Sequence, residues 1–174
     1  MREGFAMRGR LRRRLAVLTA ASLGLMAIAP GQALAQPQAP AMSADLDGQP
    51  IPLTDVAKYA CHDIAFPRIH CFSSEAARDA SAAPLLASSS TTYVIVWADA
   101  SYAGPSLIIS QDYSAFVTVG WNDRISSFKA QNSTTGRFWT DWFYGGTADY
   151  FCCNQTVPYV GDAFNDTFSS FQYL

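Results

Sequence analysis

Two octapeptides, WADASYAG at Trp97–Gly104 and WTDWFYGG at Trp139–Gly146, share Trp, Asp, Tyr and Gly at an offset of 42 residues. Two heptapeptides do the same at an offset of 43: NDRISSF at Asn122–Phe128 and NDTFSSF at Asn165–Phe171. Nine positions recurring in one order and spacing are not chance, so the chain carries two copies of one unit, about 93–134 and 135–174. Around them lie short runs rich in Val, Ile, Phe, Tyr and Trp: Tyr93–Trp97, Ser106–Ile109, Phe116–Val119, Ile125–Lys129, Arg137–Trp139, Asp149–Cys152 and Phe168–Tyr173. Gly, Asn and Asp separate them, as turn residues separate strands. No helical pattern lies between the runs, which excludes a parallel α/β sheet. The repeat reads as an all-β sandwich or barrel.

Each part of the unit has a physical reading. In Trp-x4-Tyr-x-Gly the two aromatics can stack across a folded hairpin, and the glycine permits a backbone conformation closed to residues with a Cβ. Those residues are architecture. Asn-Asp-x-x-Ser-Ser is different, because it places hard oxygen donors at a bend leading into a strand. Carboxylate, carbonyl and hydroxyl oxygens are the ligands of Ca²⁺, which takes six to eight of them. A single copy would read as a turn capped by its own Ser and Asn side chains. Two identical copies in a symmetric repeat favour a metal.

With both signatures present twice, residues 93–174 resemble a βγ-crystallin domain of the microbial, calcium-binding kind. The resemblance implies two Greek-key motifs packed as a sandwich and two Ca²⁺ ions held between exchanged clamps. It implies one site from Asp123 with the Thr167 carbonyl and the Ser169 hydroxyl. Its mate would take Asp166 with the Arg124 carbonyl and the Ser126 hydroxyl. Asn122, Ser127, Asn165 and Ser170 would support the loops, and a carbonyl from each hairpin would add to the shell. With one carboxylate per ion, modest affinity is expected.

The first 35 residues read as a secretory leader. Six arginines (Arg2, Arg8, Arg10, Arg12, Arg13 and Arg14) precede an apolar run from Leu15 to Pro30, and Ala33-Leu34-Ala35 offers a cleavage site. The whole chain has 12 basic and 14 acidic residues, a formal charge of −2. Cleavage after Ala35 would remove six arginines and Glu3, leaving 6 basic against 13 acidic residues and a charge of −7. A product so acidic has no electrostatic footprint for nucleic acid. No second apolar run reaches the length of a membrane span.

Residues 36–54, with Pro37, Pro40, Pro50 and Pro52 among Ala, Gln, Ser and Gly, read as a disordered linker. Residues 55–92 read as a small Cys/His segment with a short helix from Glu75, capped by Ser73 or Ser74, followed by a second linker from Ser88 to Thr92. Export to an oxidising compartment suggests two disulfides among Cys61, Cys71, Cys152 and Cys153. Pairing of the first two with the adjacent Cys152 and Cys153 is favoured over a local Cys61–Cys71 loop, but the connectivity stays open. Zinc at the Cys61-His62 and His70-Cys71 cluster is disfavoured, because the spacing matches no zinc pattern.

No nucleophile elbow, metalloprotease helix or paired-carboxylate motif occurs, so a non-enzyme is expected. Three functions are compatible with the residues. The first is a secreted calcium-binding structural module. The second is an inhibitor of secreted metalloproteinases acting through the stretch Cys152–Asp162. The third is a module for carbohydrate or cell-envelope glycan with Trp121, Trp142 and Phe143 as its platform, against the stronger reading of these aromatics as core. The doubled Asn-Asp-x-x-Ser-Ser favours the first.

Overall fold

The computed structural model describes residues 41–88 and 91–174, which fall within one compact unit, Gln38–Leu174. The leader expected over 1–35 and the start of the expected linker lie outside the described residues. In chain order the strands are β1 (Ser43–Leu46), β2 (Gln49–Ile51), β3 (Ala60–His62) and β4 (Arg68–Phe72). After the helix α1 (Glu75–Ala87) come β5 (Tyr93–Asp99), β6 (Ala103–Ile109), β7 (Ser127–Gln131), β8 (Gly136–Asp141), β9 (Gly145–Phe151), β10 (Thr156–Val157) and β11 (Ser170–Tyr173). Among the described residues no helix is long and apolar enough to cross a membrane.

The repeat seen in the sequence is a repeat of pairing. In the first copy β5 lies between β6 and β7, with Val96 opposite Leu107 and Phe128. In the second, β8 lies between β9 and β11, with Phe138 opposite Asp149 and Phe171. Each copy then lends a short piece to the other's sheet: β10 of the second pairs with β7 of the first, and Tyr113 of the first bridges to Phe171. This reciprocal crossing makes two Greek keys in two sheets. The core between them is aromatic, because alternate residues of β7, β8, β9 and β11 point inward. Phe128, Phe138, Phe151, Phe168 and Phe171 are all buried, with neighbouring ring centroids 5.0–6.1 Å apart.

Several expectations are corrected. Residues 43–51 are not a spacer: β1 and β2 form a hairpin across Asp47 and Gly48, both with positive φ (48° and 85°). An Asp-Gly turn of this kind suits the twist of a hairpin, and Pro50 is tolerated because β2 is the edge of its sheet. Residues 55–87 are not set apart from the repeat either. Strand β3 pairs in parallel with β6, β4 follows it, and β1 and β2 complete an eight-stranded sheet of order β10-β7-β5-β6-β3-β4-β1-β2. Phe116–Val119 is a 3₁₀ turn rather than a strand, burying Phe116 and Val119 on one side. It closes on Gly120 at φ 72°, whose missing Cβ leaves room for the Thr54 carbonyl. Trp121 is fully buried, which removes it from any glycan platform.

The disulfide joins Cys61 to Cys71 across β3 and β4, while Cys152 and Cys153 are free. The favoured long-range pairing is therefore replaced by the local one. Direct cross-strand opposition in the β3–β4 pair brings the first two sulfurs together. Helix α1 starts as its sequence indicates, with Ser74 Oγ accepting from the Ala77 amide at 3.2 Å. It is tied to the sheet by buried Arg78, which pairs with Asp79 at 2.8 Å and donates to Ser106.

The parallel junction of β3 and β6 is latched by Asp63. Its amide donates to the Ile108 carbonyl at 3.1 Å, and its Oδ1 accepts from the Ser110 amide at 2.7 Å. Burial pushes this carboxyl up to about 6. Burial also lowers neighbouring His62 to about 4, with help from His70 and Arg78. The two act oppositely on stability. Asp63 prefers to fold protonated, so its contribution is complete below its unfolded value of 3.8 and is lost as pH rises through about 6. His62 prefers to fold neutral, so its contribution is complete above 6.5 and is lost as pH falls through about 4. Asp63→Asn is expected to keep the Ser110 contact and to remove this carboxyl's share of the pH dependence. Urea denaturation should then show the variant gaining about 2 kcal/mol on the wild type between about pH 4 and pH 7.5. A difference that does not change with pH would refute the assignment.

Candidate metal centre

The two Asn-Asp-x-x-Ser-Ser loops face each other, and each completes the other. Asp123 and Asp166 sit in left-handed backbone at φ 55° and 54°, a conformation that aspartate tolerates better than branched residues. The Asp123 amide donates to the Phe168 carbonyl at 3.0 Å, and the Asp166 amide to the Ile125 carbonyl at 3.3 Å. The side chains cross in the same way. Ser169 Oγ donates to Asp123 Oδ1 at 3.2 Å, and Ser126 Oγ lies 3.3 Å from Asp166 Oδ1. Each aspartate's second oxygen accepts from its preceding asparagine, Asn122 at 2.7 Å and Asn165 at 2.9 Å.

The hairpins close against these loops. Ser127 Oγ donates to the Asp99 carbonyl and accepts from the Tyr102 amide, at 2.7 and 3.1 Å. Ser170 Oγ repeats both bonds with the Asp141 carbonyl and the Tyr144 amide, at the same two distances. Trp97 meets Tyr102 edge to face at 5.3 Å between centroids. At Gly104 and Gly146 φ is 78° and 75°, and an added Cβ would strike the Asp99 and Asp141 carboxylates. Two Greek keys with doubled aromatic hairpins and exchanged clamps decide the matter. Residues 93–174 form a βγ-crystallin-like domain.

Neither a protein-family model nor a curated relative matches the chain. Solved structures do resemble it. A βγ-crystallin from an archaeon is 28% identical, covering 48% of this chain and 99% of that one at a TM-score of 0.44. A double mutant of a βγ-crystallin domain from Clostridium beijerinckii is 26% identical, covering 47% of this chain and 94% of its own at a TM-score of 0.42. A βγ-crystallin domain from Flavobacterium johnsoniae is 21% identical, covering 47% and 92% at a TM-score of 0.42.

In the crystallin-like domain the clamp residues suit a hard cation. Ser126 Oγ lies 2.8 Å from the Ala98 carbonyl as well as 3.3 Å from Asp166 Oδ1, and one hydroxyl proton cannot serve both acceptors. Three oxygens converging from the end of β5 and from two loops are of the kind that Ca²⁺ or a similar ion takes. Among the described residues no group of three or more His, Cys, Asp or Glu side chains gathers, so carbonyl and hydroxyl oxygens would have to supply most of the shell. Arg124 lines one pocket with Ala98, Asp99, Asp123 and Asp166, while the other is lined by Asn122, Asp123, Thr140, Asp141, Trp142 and Ser169. The Thr167 hydroxyl is turned back to the Phe164 carbonyl at 2.8 Å.

Reading the sequence as architecture missed Asp99 and Asp141, which stand at these two pockets. The signal was in plain view, since both belong to the repeated W-x-D. The Cys61 and Cys71 sulfurs are consumed by their disulfide, which leaves the neighbouring histidines without thiolate co-ligands for zinc.

Proposed function

We propose that this is an exported, non-enzymatic protein whose crystallin-like domain is stabilised by two Ca²⁺ ions. The observation that carries the reading is the crossed clamp, in which the Ser126 hydroxyl is shared between the Ala98 carbonyl and Asp166. Asp166, Ser126 and the Ala98 carbonyl would hold one ion, with the Arg124 carbonyl. Asp123, Ser169 and the Thr167 carbonyl would hold the other. Bound calcium supplies positive charge to an acidic domain and links two loops distant in sequence. The basic, apolar leader supports export.

An ion bound only by the folded state stabilises it by about 2.7 kcal/mol at a hundredfold excess over Kd. Millimolar Ca²⁺ is therefore expected to raise the melting temperature, and Asp123→Ala with Asp166→Ala to abolish the rise. Calorimetric titration of the wild type with no heat of binding at millimolar Ca²⁺ would end this reading. The inhibitor reading needs a loop tethered by disulfide over Cys152–Asp162, and both cysteines there are free thiols.

A further inference from the structure

Within the hairpin motif the two halves differ most in bulk at two adjacent positions. Between Asp and Tyr of the hairpin motif the first copy has Ala100–Ser101, and the second has Trp142–Phe143. Trp142 is 49% exposed and Phe143 74%. Phe143 also sits at φ 55°, in left-handed backbone that bulky residues avoid. Neither burial nor backbone preference accounts for two large aromatics at this turn. Ala100 and Ser101 show that the same hairpin closes without them.

The pair is held in place. Trp142 Nε1 donates to Asn122 Oδ1 at 2.7 Å, and the Phe143 amide donates to the Ser114 carbonyl at the same distance. The indole forms one wall of the open pocket that also presents Asn122, Asp123, Thr140, Asp141 and Ser169. The equivalent pocket of the first copy, around Ala98, Asp99 and Arg124, has no aromatic lining.

We propose that the Trp142 pocket binds an uncharged pyranose oligosaccharide. A sugar ring lays its apolar C–H face on the exposed indole, whose own N–H is already used, while its hydroxyls bond to Asp141, Asn122 and Thr140. Three features select this occupant. The lining contains no basic side chain and two carboxylates, which disfavours anionic ligands. Carboxylate and amide groups beside an aromatic face match a ligand that is polar at its edge and apolar on its face. A membrane would have to desolvate Asp123 and Asp141 to receive the aromatics, at considerable cost. A turn already fixed by Asn122 and Ser114 also loses little freedom on binding. The pocket shares Asp123 and Ser169 with the proposed calcium site, but the sugar contacts named here use neither, so the inference stands without the ion.

The test titrates the full chain with cellotriose, chitotriose and laminaritriose, once in calcium and once in chelator, following tryptophan fluorescence. Trp142 is the most exposed of the four indoles, so occupancy should change the emission saturably. Trp142→Ala is expected to weaken binding by about tenfold or more while the melting temperature stays near the wild-type value, and Trp142→Phe should restore part of the loss. Trp142-dependent binding in either buffer supports the proposal, and binding in chelator does so even if calorimetry detects no calcium. No Trp142-dependent binding of any of the three sugars overturns it. So does partition into phosphatidylcholine–phosphatidylglycerol vesicles without saccharide binding.

Discussion

Phe138→Ala is expected to lower the unfolding free energy by about 3–5 kcal/mol, the largest effect of any single side chain here. Phe138 is fully buried at the centre of β8, the middle strand of its sheet. Its ring lies 5.0–5.4 Å from those of Phe128, Phe151, Phe168 and Phe171. Alanine removes the transfer free energy of a benzyl group and leaves a cavity walled by four rigid rings, which collapse poorly. Phe128 comes from the first Greek key and the other three from the second, so the cavity opens at the seam between the keys. Urea denaturation monitored by near-ultraviolet circular dichroism measures the loss. A value below about 1 kcal/mol would mean that the aromatic cluster packs loosely.

The second large effect is at the disulfide. Cys61→Ala with Cys71→Ala is expected to cost about 2–4 kcal/mol, mainly because the denatured chain regains the freedom of the loop that the bond closes. The structural stake is larger than the loop. Among the described residues, the strand pairing between the first four strands and the repeat is three residue pairs long, Ala60, Cys61 and His62 against Ser106, Leu107 and Ile108. Loosening β3 from β4 therefore weakens the attachment of β1, β2 and β4 to the crystallin-like sheet. Thiol titration of the native wild type should count two reactive cysteines, and a non-reduced digest should yield the peptide joining 61 to 71. A peptide joining either of these residues to 152 or 153 would contradict the assignment, and the stability loss with it.

Of the candidate metal centre, the side chains that meet across the two loops could be read from the chain. Asp123, Ser126, Asp166 and Ser169 announce themselves by recurrence, and the structure brings Asp123 to Ser169 and Asp166 to Ser126. The supporting asparagines and the buried Ser127 and Ser170 take up hydrogen bonds that follow from the same symmetry. Asp99 and Asp141 were legible as residues but not as neighbours of the clamp. Their approach depends on how far each hairpin folds over, which a glycine at positive φ decides.

Local pattern served less well outside the repeat. Pro50 and Pro52 suggested a spacer, because proline opposes the interior of a sheet. At an edge that objection lapses, and the Asp47–Gly48 turn was the better signal. Phe116 and Val119 looked like a strand because a short apolar run has the same composition either way. Trp121 and Trp142 are the same residue type in similar company, and only packing shows that the first lies in the core while the second does not.

The sequence alone determined the doubled β unit, the all-β class of the repeat, the clamp oxygens and the start of α1, because each is a local pattern or a repetition. Tertiary structure decided the parallel docking of β3 on β6, the Cys61–Cys71 bond, the burial of Asp63 and the exposure of Trp142. Those are contacts between segments far apart in the chain, settled by which faces bury together, and no periodicity records them.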